Sequence, residues 1–167
     1  TSPAKSRMIA SRRSFIDEHV LNYVSMHGWH RMVGVIARSI EGGEFEKLVA
    51  RIPLYEQREK WKAARSGFSE ADLANATRKI ETAVDKIEKH LEQNPFLAGN
   101  AYTLADINLF AVGGAHLTFL FPDMKVEQRA PRLMAWVDRV KARPGVQAAL
   151  AMPDRTNPAL RTFTGEA

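Results

Sequence analysis

The sequence predicts an all-α helical bundle, and three observations carry that reading. Apolar residues recur at three- and four-residue steps along nearly the whole chain. No segment alternates apolar and polar residues as a half-buried strand would, and no internal repeat appears. The 167 residues are 45% hydrophobic and 26% charged, the balance of one globular domain able to bury a core.

The first helix is expected from Ser6 to about Ile40, with Met8, Ile9, Phe15, Ile16, Val20, Tyr23, Val24, Val33, Ile36 and Ala37 on its apolar face. It should bend near Gly28 and stop at Glu41-Gly42-Gly43. A short amphipathic segment, Glu44 to Arg51, follows. Pro53 then opens PLYEQREKWKAARSG, which Gly67 closes. In that segment Trp61 should pack inward while Lys60, Lys62 and Arg65 stay solvated.

The clearest helix begins at Ser69, which forms a capping box with Asp72. Leu73, Ala76, Ile80, Val84, Ile87 and Leu91 hold one face until Asn94-Pro95 ends it. After the loop PFLAGNAY, Thr103 reads as the N-cap of a helix running through INLFAVGGAHLTFLF. The Thr103 hydroxyl should accept from the Asp106 N–H, and the Asp106 carboxylate should accept from the Thr103 N–H. Tyr102 and Ile107 are placed to form a hydrophobic staple. Asp106 is therefore a folding residue and not a catalytic one, and its loss to Ala should cost about 1–2 kcal/mol. Gly113-Gly114 permits a bend or a close packing of that apolar helix. Helices from Pro131 to Arg143 and from Pro144 to Ala151 complete a bundle of about six. Residues 1–5 read as a linker and 152–167 as an irregular tail, so residues 1–167 form a single domain.

Composition excludes several functions. With no cysteine, disulfides, thiolate nucleophiles, iron–sulfur clusters and CxxC pairs are ruled out. No apolar stretch approaches a membrane-spanning length of about 18 residues, and the polar opening TSPAKSR shows no signal peptide, so a cytoplasmic location is expected. The net charge of +5 lies in residues 1–65, with 12 basic against 7 acidic side chains. Acids interleave with it, and there is neither a Lys/Arg run nor an RNP-like pattern, so no nucleic-acid partner is expected. Arg12 and Arg13 read as surface charge. His19, His27 and His30 share the first helix, but no Asp, Glu or Cys stands at the right spacing to complete a metal site, and none is expected.

Three stretches carry a resemblance. PFLAGNAYTLADINLF is similar to the signature of the glutathione S-transferase C-terminal helical domain, and PRLMAWVDRVKARPGVQAAL to the helices that follow it. The positions that match in the second are Pro131, Trp136, Arg143 and Pro144. IPLYEQREKWKAARSGF resembles an extra helical insertion of the bacterial β-etherase branch, which cleaves lignin β-aryl ethers. The matching positions there are Pro53, Glu56, Gln57, Lys60, Trp61, Ala64, Arg65, Gly67 and Phe68.

The resemblance implies a right-handed helical bundle that builds the hydrophobic substrate pocket of a glutathione-dependent transferase, with glutathione as co-substrate. It places Tyr23, Met26, His27 and His30 on the wall of that pocket, with Trp29 nearby. Tyr and His can hydrogen-bond a phenolic or carbonyl group while presenting an apolar face. The bland alternative is that Tyr23 and Met26 are core. A homodimer and a small aromatic or electrophilic substrate are implied as partners. The family's thioredoxin-like domain, which activates the thiol, is expected to be missing from this chain: no strand pattern and no Glu-Ser or Asp-Ser pair occur. No catalytic residue is assigned. Three functions follow: the substrate domain of a transferase of β-etherase type, a non-catalytic interaction module, or a transferase for unrelated electrophiles. Arginine and lysine in the first 65 residues favour an anionic peptide such as glutathione over nucleic acid.

Overall fold

A computed structural model describes residues 20–152; the linker 1–5, the first helix up to residue 19 with Arg12, Arg13 and His19, and tail residues 153–167 lie outside them. All extended regular structure among the described residues is helical; the one β contact is a bridge between Phe96 and Gly99. The α-helices are α1 (Asn22–Gly28), α2 (Gly34–Ser39), α3 (Gly42–Ala50), α4 (Tyr55–Ser66), α5 (Glu70–Leu91), α6 (Leu104–Val112), α7 (Leu117–Leu120), α8 (Val126–Arg129), α9 (Pro131–Lys141) and α10 (Pro144–Leu150). They divide into two compact units. The first holds described residues 20–25 and 74–152, and the second holds 26–73.

In the first unit, Ala76, Ile80, Val84, Ile87 and Leu91 of α5 are buried as their spacing predicts, with Ala83 added. They pack with Val20, Val24, Leu109, Leu133, Trp136, Val137 and Val140 into one core. The rest of α5 is largely polar, and its acids hold the neighbouring helices. Arg129 donates from Nε and Nη2 to the two Asp85 oxygens, each at 2.8 Å. Glu88 has a further role. Ala130 and Pro131 give α9 no side-chain cap, and the Glu88 carboxylate accepts from the backbone N–H of Arg132 (3.2 Å) and of Leu133 (2.9 Å) instead. An anion from another helix thus satisfies α9's orphan donors.

The apolar run after Thr103 is not one helix. It breaks at Gly113, whose φ of 139° only glycine adopts easily. A Cβ there would lie 2.4 Å from Val24 Cγ1. The close packing expected of the glycine pair is present, but as a helix end. A 3₁₀ turn (Gly114–His116), α7, a second 3₁₀ turn (Pro122–Met124) and α8 then follow. Ile107 is 45% exposed, and Tyr102 packs edge-on against Phe96 and beneath Arg143 at 3.8 Å. That contact takes the place of the expected staple.

In the second unit, α1 continues into a π-helical turn, Trp29–Val33, closed by the Gly34 N–H on the Trp29 carbonyl. This is the irregularity expected near Gly28, and it widens the helix by one residue. Gly34 is required because a Cβ there would meet the Ala64 carbonyl of α4 at 2.8 Å. The chain turns at Ile40, and Gly42 and Gly43 open α3 where the sequence placed them in a stop. Ala37, Phe45 and Val49 form the core, with Trp61 packed against it as expected. Arg65 is half-buried and held by the fold: it donates to the carbonyls of Ala37 and Ile40 and stacks on Phe45 at 4.4 Å. It caps the C-terminus of α2, and Arg38 returns the arrangement by donating to Ala64 O at 3.1 Å.

Candidate functional site

The first polar centre is Asp106, fully buried in α6. The expected capping box is formed. Oδ2 accepts from the Thr103 N–H at 2.9 Å and from its hydroxyl at 3.2 Å, and the Thr103 hydroxyl accepts from the Ala105 N–H at 3.3 Å. Two partners lay beyond the reach of local spacing. Oδ1 accepts from the Leu97 N–H and from Trp136 Nε1, each at 2.9 Å. The Phe96–Gly99 turn, closed by reciprocal backbone bonds of 3.1 Å and by Gly99 at φ 94°, presents that Leu97 N–H. One carboxylate therefore ties the loop, α6 and α9 together. Every lone-pair direction is used within the protein, so Asp106 has no chemistry to offer a substrate. A buried acid and a distant Trp needing an acceptor were the available signal for this node.

The second centre is the segment Met26–Arg31. Tyr23 lies in the first unit, partly buried against its core, which is the packing role the sequence left open for it. Met26, His27 and His30 belong to the second unit. Met26 and His30 are half-buried, and His27 is 7% exposed. His27 Nε2 lies 3.2 Å from the Leu73 carbonyl. A carbonyl only accepts, so Nε2 carries the proton. Burial holds the His27 pKa below its usual value; the bond to Leu73 opposes this, while the charge of Arg31 adds to it, as does His30 in its protonated form. The imidazole is thus a neutral post joining the end of α1 to the first turn of α5.

His30 stands differently. Its ring meets the Phe68 edge at 6.3 Å between centroids, and its Nδ1 is buried without a hydrogen-bond partner. Trp29 makes a second edge contact, with Trp61 at 5.6 Å. The Trp29–Trp61 and His30–Phe68 pairings were not read from spacing, because they join residues about 30 to 40 positions apart through the packing of α4 and its following turn. Among the described residues no cluster of three or more His, Asp, Glu or Cys could hold a metal ion. None of their helices is long and apolar enough to cross a membrane.

Residues 57–139 match the family described as glutathione S-transferase, C-terminal domain. Protein LigF of Sphingobium sp. (strain NBRC 103272 / SYK-6) is 34% identical over 136 residues, covering 80% of this chain and 53% of LigF. The tetrachloro-p-hydroquinone reductive dehalogenase of Sphingobium chlorophenolicum is 33% identical over 82 residues, 49% of this chain and 32% of that protein. The chain thus spans about half the length of LigF and a third of the dehalogenase. Among solved structures, the crystal structure of β-etherase LigF from Sphingobium sp. strain SYK-6 superposes with a TM-score of 0.82 at 31% identity, covering 92% of this chain and 64% of that one.

Proposed function

Since residues 57–139 belong to the glutathione S-transferase C-terminal domain family, we propose that this chain supplies the substrate-binding part of a glutathione-dependent transferase acting on aryl ethers. The observation that carries the reading is the agreement of fold with β-etherase LigF over 92% of the chain. The tetrachloro-p-hydroquinone reductive dehalogenase adds a second relative, one named for a phenolic substrate.

In this reading glutathione is the co-substrate. Its thiolate attacks the carbon bearing the aryl ether oxygen; the C–S bond forms as the C–O bond breaks, and the phenolate leaves. In this reading the described residues contribute binding, and their buried acid, Asp106, is consumed by the fold. Met26, His27 and His30, with Phe68, are the proposed contacts for the aromatic group, because they combine apolar faces with ring nitrogens. Tyr23 is a further candidate contact within its own unit. A homodimer is the proposed assembly of the full enzyme.

The test is a chimera in which this chain replaces the part of LigF that it matches. Glutathione-dependent release of a phenol from an aryl ether is the expected result. A folded chimera that conjugates only simple electrophiles would assign another transferase specificity, and one with no activity would favour a non-catalytic interaction module.

A further inference from the structure

Among the described residues, one buried side-chain polar atom lacks a hydrogen-bond partner, and it is Nδ1 of His30. Protein interiors rarely leave such an atom unpaired, and an exception calls for a physical reason. The neighbouring histidine shows the contrast: His27 has its ring fixed on the Leu73 carbonyl. Two imidazoles one helical turn apart are therefore not equivalent. The first is held by the fold, and the second keeps an acceptor that the fold does not use.

We propose that His30 is the specificity-determining residue of the substrate-binding segment: its Nδ1 accepts a hydrogen bond from the hydroxyl of a phenolic ligand whose ring packs against Phe68. The inference rests on the substrate-binding reading above and deepens it, naming a phenol bearing a free hydroxyl as the preferred ligand. An accepting Nδ1 requires a neutral ring protonated at Nε2. Because Nδ1 is shielded from solvent, the ligand must part His30 from a neighbour to reach it. Phe68 is the side chain placed to move. It sits on the short link between α4 and α5, directly after Gly67, whose φ is 90°.

Two probes that differ only in the hydrogen-bond donor test this: p-cresol and its methyl ether, 4-methylanisole. Each is titrated into the 167-residue chain while the histidine ring nitrogens are followed by long-range ¹⁵N–¹H correlation. The expected result is about tenfold tighter binding of p-cresol, the worth of one net hydrogen bond, with a shift of the His30 Nδ1 resonance. His30→Phe should bind both probes equally. His30→Asn, whose Oδ1 can stand where Nδ1 stood, should keep part of the preference, and a circular-dichroism melt of each variant separates lost binding from lost folding. Equal binding of the two probes by the wild-type chain, or a preference that survives His30→Phe, overturns the inference and leaves the substrate-binding reading standing. Binding of neither probe overturns both.

Discussion

Replacing Asp106 by Ala should destabilise the chain far more than loss of a helix cap. Leu97 N–H and Trp136 Nε1–H both end on Oδ1 inside the core. Water cannot take its place there, because Trp136 and Ala105 are fully buried. Each donor left unpaired costs about 1–3 kcal/mol. The Thr103 N–H, part-buried and bonded to Oδ2, adds the cost of a lost cap, about 1 kcal/mol. The total is about 5 kcal/mol, in the range reserved for broken buried networks. Thr103→Ala, which removes only the cap hydroxyl, should cost about 1 kcal/mol. Urea unfolding of the two variants, followed by circular dichroism at equal m value, compares them directly. A double-mutant cycle with Trp136→Phe should return a coupling of about 1–2 kcal/mol. If Asp106→Ala costs no more than Thr103→Ala, or if the cycle shows no coupling, the carboxylate is merely a cap and the reasoning fails.

Three further outcomes follow from the packing and the charges. Gly113→Ala places a Cβ 2.4 Å from Val24 Cγ1 at a φ of 139°, and a thermal melt should show a loss of roughly 3 kcal/mol from combined clash and backbone strain. Glu88→Gln weakens the acceptor that caps α9 through Arg132 and Leu133 and should cost about 1 kcal/mol, measured as a shift in the urea midpoint. A His27 pKa lowered by burial means that the folded chain binds fewer protons than the unfolded one. The penalty is absent above the ordinary value of 6.5 and grows as pH falls below it, until the folded pKa is reached. His27→Gln, which keeps a donor for Leu73, should flatten the fall in melting temperature below pH 6.5, and an unchanged pH profile would refute the assignment.

Much of this was legible because it is local. The face of α5, the Thr103–Asp106 box and the Pro-led starts of α9 and α10 each depend on residues within a few positions of one another. What the sequence concealed depends on distant partners. Nothing near Asp106 announces that Leu97 and Trp136 will share its second oxygen, and nothing near Arg65 shows that two carbonyls of another helix need its guanidinium. The break at Gly113 was hidden for the same reason: a pair of glycines in an apolar run fits a close helix contact as well as a helix end, and Val24 decides between them. Of the residues singled out for binding, His27 and His30 looked alike in sequence. Only packing separates a ring fixed on Leu73 from a ring whose Nδ1 is left over.

The proposed division of labour between binding and thiol chemistry is tested most directly by giving the 167-residue chain both p-cresol and glutathione with an aryl ether. The account predicts that the aromatic probe binds, perturbing the fluorescence of the paired Trp29 and Trp61, while no glutathione thiol is consumed. Sustained thiol consumption and phenol release by this chain alone would contradict it.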